Sequence, residues 1–156
     1  MAPNRIERDR KGGYRLRLPA EERELLRSLP AQLRDVLQTD DPSLRRLFPP
    51  AYDDDREAED EFRRLMRDEL LEGKLAALLV VEETAGADHL TGEQLEAWLG
   101  ALESLRLVLG TQLDVNEETY EQDLDPRHPS APALALYGYL SWLQEQAVEA
   151  LSSSLS

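Results

Sequence analysis

From Ala20 onward the apolar residues of this chain recur every three or four positions, a period that commits most of it to amphipathic α-helix. The clearest instance begins at Thr91-Gly92-Glu93-Gln94, which has the spacing of a capping box, with threonine and glutamine side chains each serving the other's backbone N–H. Behind it Leu95, Trp98, Leu99, Leu102, Leu105 and Leu109 form one stripe, and Gly110 is expected to end the helix. A second stripe, Leu25, Leu26, Leu29, Leu33, Val36 and Leu37, covers 20–39. Pro30 interrupts it, so one kinked helix or two short ones are expected there. Asp41-Pro42-Ser43 starts a further turn through Leu47.

A long helix is expected from about Asp55 to Glu82, with Phe62, Leu65, Met66, Leu70, Leu75, Leu78 and Leu79 turned inward. A second box, Asp114-Val115-Asn116-Glu117, begins a short acidic helix that the loop from Asp125 to Pro132 ends. The last helix runs from about Ala133 to Leu151, with Leu136, Tyr137, Leu140, Leu143, Ala147 and Val148 inward.

The period differs before Ala20. Tyr14, Leu16 and Leu18 alternate with Arg15 and Arg17, which is the pattern of a half-buried strand, and Gly12-Gly13 supplies a turn back to Arg5–Arg8. This pattern predicts a hairpin over about 5–18. Two strands are marginal alone, so its apolar face is expected to pack on the helices. The fold class is therefore mainly all-α, a helical bundle with a small N-terminal β-hairpin. At 156 residues one domain over 1–151 is expected, with a frayed Ser-rich tail at 152–156.

Composition narrows function mainly by exclusion. There is no Cys, which removes disulfides, thiolate metal sites and cysteine nucleophiles. The longest apolar run, Leu75 to Val81, is too short to span a bilayer, and the charged N-terminus is unlike a signal peptide, so a cytoplasmic protein without membrane contact is expected. Charge is lopsided: residues 1–50 carry net +3 and residues 51–156 net −17, together the −14 of the chain. Such a body repels nucleic acid and anionic membrane and favours a basic protein partner. The basic segment over residues 1–17 permits DNA as the alternative.

No catalytic motif emerges. Asp53-Asp54-Asp55-Arg56-Glu57 resembles a magnesium-diphosphate motif but lacks a second acidic motif, and a calcium loop would need glycine at Ala58 and glutamate at Arg64. Carboxylates at a helix N-terminus meet the positive end of the dipole, which accounts for the run without a metal. A metal-dependent enzyme on 53–57 is thus the least favoured class, and neither cofactor nor metal is expected. His89 and His128 stand in loop-like contexts, and the glycines form neither a Rossmann nor a P-loop spacing. Trp98, Trp142, Tyr137 and Tyr139 at helical spacing read as core ahead of a ligand box. Arg106, at the edge of its helix's inner stripe, is expected to bury its stem and pair with a carboxylate as a structural ion pair. Nothing in the pattern sets an oligomeric state.

Three segments carry a family resemblance: Arg46-Leu47-Phe48-Pro49-Pro50-Ala51-Tyr52 before the acid-rich helix, Trp98 followed by Ser104 to Asp114, and Tyr137-Gly138-Tyr139-Leu140-Ser141-Trp142-Leu143-Gln144. Together they resemble the actinobacterial domain of unknown function DUF2017. The resemblance implies a neighbourhood of Clp-adaptor and cysteine-biosynthesis genes. For some members it implies transcriptional regulation of oxidative stress with a sigma factor. Sensing through a cysteine pair has no thiol to use in this sequence.

The expected function is a non-enzymatic regulatory or interaction protein, its partner basic and, by the resemblance, a sigma factor or other transcription component. The expected partner-binding residues are Phe48 and Tyr52, held out by a proline-stiffened corner, with Asp53, Asp54 and Glu57 steering the approach.

Overall fold

The computed structural model describes residues 4–39, 56–113 and 131–153, with side chains at all of these except 56–60, 62, 63 and 113. Strands β1 (Ile6–Arg8) and β2 (Tyr14–Leu16) form the expected hairpin. Its register sets Ile6 opposite Leu16, Glu7 opposite Arg15 and Arg8 opposite Tyr14. At the turn Gly12 and Gly13 have φ of 105° and 72°, which residues with a Cβ rarely adopt. Gly13 is doubly constrained, since a Cβ there would lie 2.9 Å from the Leu90 carbonyl oxygen.

That close approach comes from a strand that the sequence pattern does not predict. β3 (His89–Leu90) pairs antiparallel with β2 and completes a three-stranded sheet of order β1-β2-β3. Two residues leave no alternation to read, which is why His89 has the sequence context of a loop. The buried face of the sheet is Ile6, Tyr14, Leu16 and Leu90, with Leu18 just beyond, and it joins the helical core as expected.

Helix α1 (Ala20–Leu37) is one element with Pro30 inside it. The proline removes a backbone hydrogen bond, a defect of about 3 kcal/mol in a free helix. Here its ring is buried alongside Leu26, Leu29, Leu33 and Leu37, and tertiary packing overrides the local penalty. Helix α2 (Arg56–Thr84) matches the long acid-led helix, and α3 (Gly92–Leu113) comes after β3. The capping box ahead of α3 is formed in both directions, Thr91 N–H donating to Gln94 Oε1 at 2.9 Å and Gln94 N–H to Thr91 Oγ1 at 3.1 Å.

Helix α3 continues past Gly110 to Leu113, against the expected stop. Gly110 is a packing glycine: a Cβ would lie 2.8 Å from the Tyr137 ring of α4 (Ala131–Ser153), so the missing side chain admits that ring. Pro132 sits in the first turn of α4, where a missing N–H costs little, so this helix begins two residues before its expected start. The expected turn at 41–47, the acidic helix after Asp114 and His128 lie outside the described residues.

The four helices among the described residues pack with α3 at the centre, against α2 on one side, α4 on the other and α1 across them. Leu95, Trp98, Leu102 and Leu105 meet Leu78 and Val81 of α2 and Leu140, Leu143 and Ala147 of α4. Trp98 is fully enclosed, and its Nε1–H donates to Thr84 Oγ1 at 2.7 Å. The Thr84 hydroxyl donates in turn to the Val80 carbonyl at 2.5 Å, so both polar groups at this depth are satisfied.

Candidate interaction surfaces

The expected docking residues Phe48, Tyr52, Asp53 and Asp54 lie outside the described residues, as does the side chain of Glu57, whose backbone is in the first turn of α2. The next turns of α2 depart from the helical pattern. Period alone turns Leu65, Met66 and Leu70 inward, yet they are 61%, 41% and 39% exposed, and Leu79 is also exposed. Every residue from Arg64 to Leu70, nearly two turns, is exposed. An apolar stripe read from period alone assumes a neighbour along the whole helix. α2 has its covering helices from Leu71 onward, where Leu71, Leu75, Ala77, Leu78, Val80 and Val81 are buried or half-buried. Around the bare turns stand the exposed carboxylates of Glu61, Asp68, Glu69 and Glu72 together with the exposed cations Arg64 and Arg67.

Half of the cations in the basic N-terminal segment, Arg5, Arg8 and Arg17, are tied down. Arg5 grips Glu22 of α1 through Nε and Nη2, at 3.0 Å for the shortest contact, and stacks over the Trp142 ring at 5.4 Å. Its backbone N–H donates to Gln146, so β1 is pinned to α1 and α4 together. The Tyr139 hydroxyl completes the cluster by donating to Glu22 at 2.8 Å. Burial first, then the hydrogen bond and charge of Glu22, push the Tyr139 phenol far above its ordinary value of 10.0. Through these contacts the cluster fastens β1 to α1 and α4. The hydrogen bond to Glu22 raises Arg5 in turn.

Arg8 donates to the Ser153 carbonyl at 3.2 Å and Arg17 pairs with Glu7 at 3.6 Å. Asp9 sits 3.1 Å from His89 and is held below the usual carboxylate range, chiefly by the Lys11 backbone N–H. Among the described residues, Arg10, Lys11 and Arg15 are the hairpin cations left exposed with no ion pair of their own.

Arg23 carries no sequence signal at all. Its guanidinium donates to the carbonyls of Leu18, Ala85 and Ala87 at 2.9, 3.0 and 2.7 Å and reaches Asp88 at 3.3 Å. It thereby stitches the exit of the sheet to the end of α2. No periodicity marks such a residue, because most of its partners are backbone atoms.

Arg106 departs from its expectation. Among the described residues no carboxylate lies within ion-pair distance of it, and its Nε is buried without a hydrogen-bond partner. The side chain lines a groove between α3 and α4 with Ser141, Gln144, Glu145, Val148 and Glu149. Val148, expected inward, is 45% exposed there. Among the described residues no group of three or more His, Asp or Glu is placed to hold a metal ion, and no helix is long and apolar enough to cross a membrane.

Comparison with known proteins adds a lineage. The family model described as domain of unknown function (DUF2017) matches residues 1–151. The chain is similar to the protein named oxidative stress regulator AosR of Mycobacterium tuberculosis (strain ATCC 25618 / H37Rv), at 34% identity over 131 residues, covering 73% of this chain and 60% of the relative. The same figures hold for its counterpart in Mycobacterium bovis. A protein of Mycobacterium leprae named putative oxidative stress regulator AosR is 29% identical over 153 residues, covering 87% of this chain and 69% of the relative. The chain thus spans about 60% of the length of the first two. No solved structure gives a significant match.

Proposed function

The chain belongs to the DUF2017 family, and from that premise we propose that it is a non-enzymatic regulatory protein that works by holding a basic protein partner. Relatives named as oxidative stress regulators support the regulatory part of this reading. A sigma factor or another transcription component is the kind of partner it calls for.

The observation that carries the reading is the bare stretch of α2. Three large apolar side chains, Leu65, Met66 and Leu70, are exposed on a stretch of helix among charged side chains of both signs, Arg64 and Arg67 as well as Asp68 and Glu69. A lone helix of this length is marginal in water, and an apolar patch rimmed by charge is the usual form of a docking face. The net −17 of residues 51–156 sets the sign of the partner, since opposite charge steers the encounter and like charge suppresses it. The acid run Asp53–Glu57 leads into this helix in sequence and would extend the same field.

The test pairs affinity capture with kinetics on the captured protein once purified. Wild type is expected to take a basic protein whose association slows as salt shortens the Debye length from about 30 Å at 0.01 M to about 8 Å at 0.15 M. A Leu65→Asp, Met66→Asp variant should keep its fold, because neither side chain is enclosed, and should speed dissociation by tenfold or more, the equivalent of about 1.4 kcal/mol. A folded variant with the same partner at unchanged rates would remove α2 from the interface and the reading with it.

A further inference from the structure

Among the described residues Arg106 is unaccounted for. Its Nε is the one side-chain nitrogen or oxygen among the described residues that is buried with no hydrogen-bond partner, and an unsatisfied buried donor of this kind destabilises a fold. A methionine would occupy the seam between α3 and α4 without that penalty, so packing alone does not call for arginine here. The residue also lines an open groove of ≈ 380 Å³ on the surface between α3 and α4.

The opposite wall is one face of α4. Ser141, Gln144, Glu145, Val148 and Glu149 recur at three- and four-residue spacing and line the groove together. Ser141 spends its proton on the Tyr137 carbonyl at 3.0 Å, which leaves its oxygen able to accept. Gln144 offers both donors and acceptors, Glu145 and Glu149 add two carboxylates, and Val148 adds apolar surface.

These groups together select a ligand. A simple anion meets two carboxylates, a simple cation meets the guanidinium, and an apolar molecule leaves all of them unsatisfied. A small zwitterion with an apolar substituent suits every wall. We propose that the α3/α4 groove binds a free α-amino acid with an apolar side chain, its carboxylate on Arg106, its ammonium toward Glu145 and Glu149 and its side chain against Val148. Guanidinium–carboxylate pairing is charge-assisted and directional, which explains an arginine at this position. The site shares no residue with the bare turns of α2, so it stands or falls apart from the docking proposal.

The experiment uses the full chain with L-leucine as probe, read by calorimetry and by amide shifts in NMR. Leucinamide, which lacks the carboxylate, and N-acetyl-leucine, which lacks the ammonium, are the controls. Saturable leucine binding is expected, with shifts confined to the facing stretches of α3 and α4 and at least about tenfold weaker binding of each control. Arg106→Met should abolish binding while leaving the melting temperature unchanged or higher, since it deletes a buried unpaired donor. Glu149→Gln should weaken leucine and leave N-acetyl-leucine unaffected. Equal binding of leucine and its controls, shifts elsewhere on the chain, no saturable binding, or a lower melting temperature for Arg106→Met with binding retained would each overturn the proposal.

Discussion

Helix α2 contains the same kinds of residue in both halves and puts them to different uses. From Leu71 to Thr84 most of its apolar positions enter the core, Leu79 being the large exception, with Leu78 and Val81 fully enclosed and Glu82 bonded to Arg34 of α1 at 2.9 Å. From Arg64 to Leu70 no residue is enclosed, although leucine and methionine recur there at the same spacing. Periodicity is a property of one helix, whereas burial belongs to the helix and its neighbours together. A stripe that meets a neighbour contributes to stability, and one that meets none within the chain does not.

Stability should divide along the same line, which gives the largest expected effect. Leu78→Ala removes an enclosed side chain and should cost about 2–5 kcal/mol in chemical denaturation. The same change at Leu65, 61% exposed, should stay within about 0.5 kcal/mol. Comparable losses at both positions would mean that the bare turns are covered in solution, and the contrast between the halves would be gone.

How far the sequence is legible depends on the same distinction. The hairpin is legible because alternation and a Gly-Gly turn are local signals, and the Thr91 box is legible because both partners lie within four residues. Pro30 leaves one helix or two open in the sequence, and Gly110 misleads as a stop; each sits inside a helix because of what packs against it, the core beneath Pro30 and the Tyr137 ring at Gly110. Strand β3 is too short to show a period, and Arg23 acts on backbone atoms distant in sequence. At the candidate sites, sequence marks Arg106 as unusual, but only the fold shows it unpaired and facing a groove. The bare turns of α2 are hidden because they look the same on a helical wheel as the packed ones.

A smaller effect sharpens the packed side. Thr84 closes α2 by accepting from Trp98 while donating to Val80. Thr84→Val keeps the volume nearly constant and strands the indole N–H in the core, so a loss of about 1–3 kcal/mol is expected from an unsatisfied buried donor. Trp98→Phe on that background should cost less than it does in wild type, because the stranded group is then gone. Thermal or denaturant melts of the four proteins give the coupling directly, and strict additivity would show that this hydrogen bond does not fasten the packed half.

The smallest effect lies at the junction and has the opposite sign. Gly73 stands between the bare and packed stretches, in the interior of α2, and a Cβ built there meets nothing within 4 Å. Glycine in a helix interior gives up more backbone entropy than alanine, so Gly73→Ala should stabilise the chain by about 0.5–1 kcal/mol. Gly110 is the internal control, since its Cβ would lie 2.8 Å from the Tyr137 ring and the same substitution should destabilise. The position of Gly73 gives the measurement a second use. If the bare turns fray as a unit from the packed ones, stiffening the junction should slow amide hydrogen exchange from Arg64 to Leu70 more than it slows exchange in the packed turns beyond Leu78, which open only with the whole fold. Equal slowing on both sides would mean that α2 opens as a single cooperative helix, with its two halves differing in exposure but not in stability.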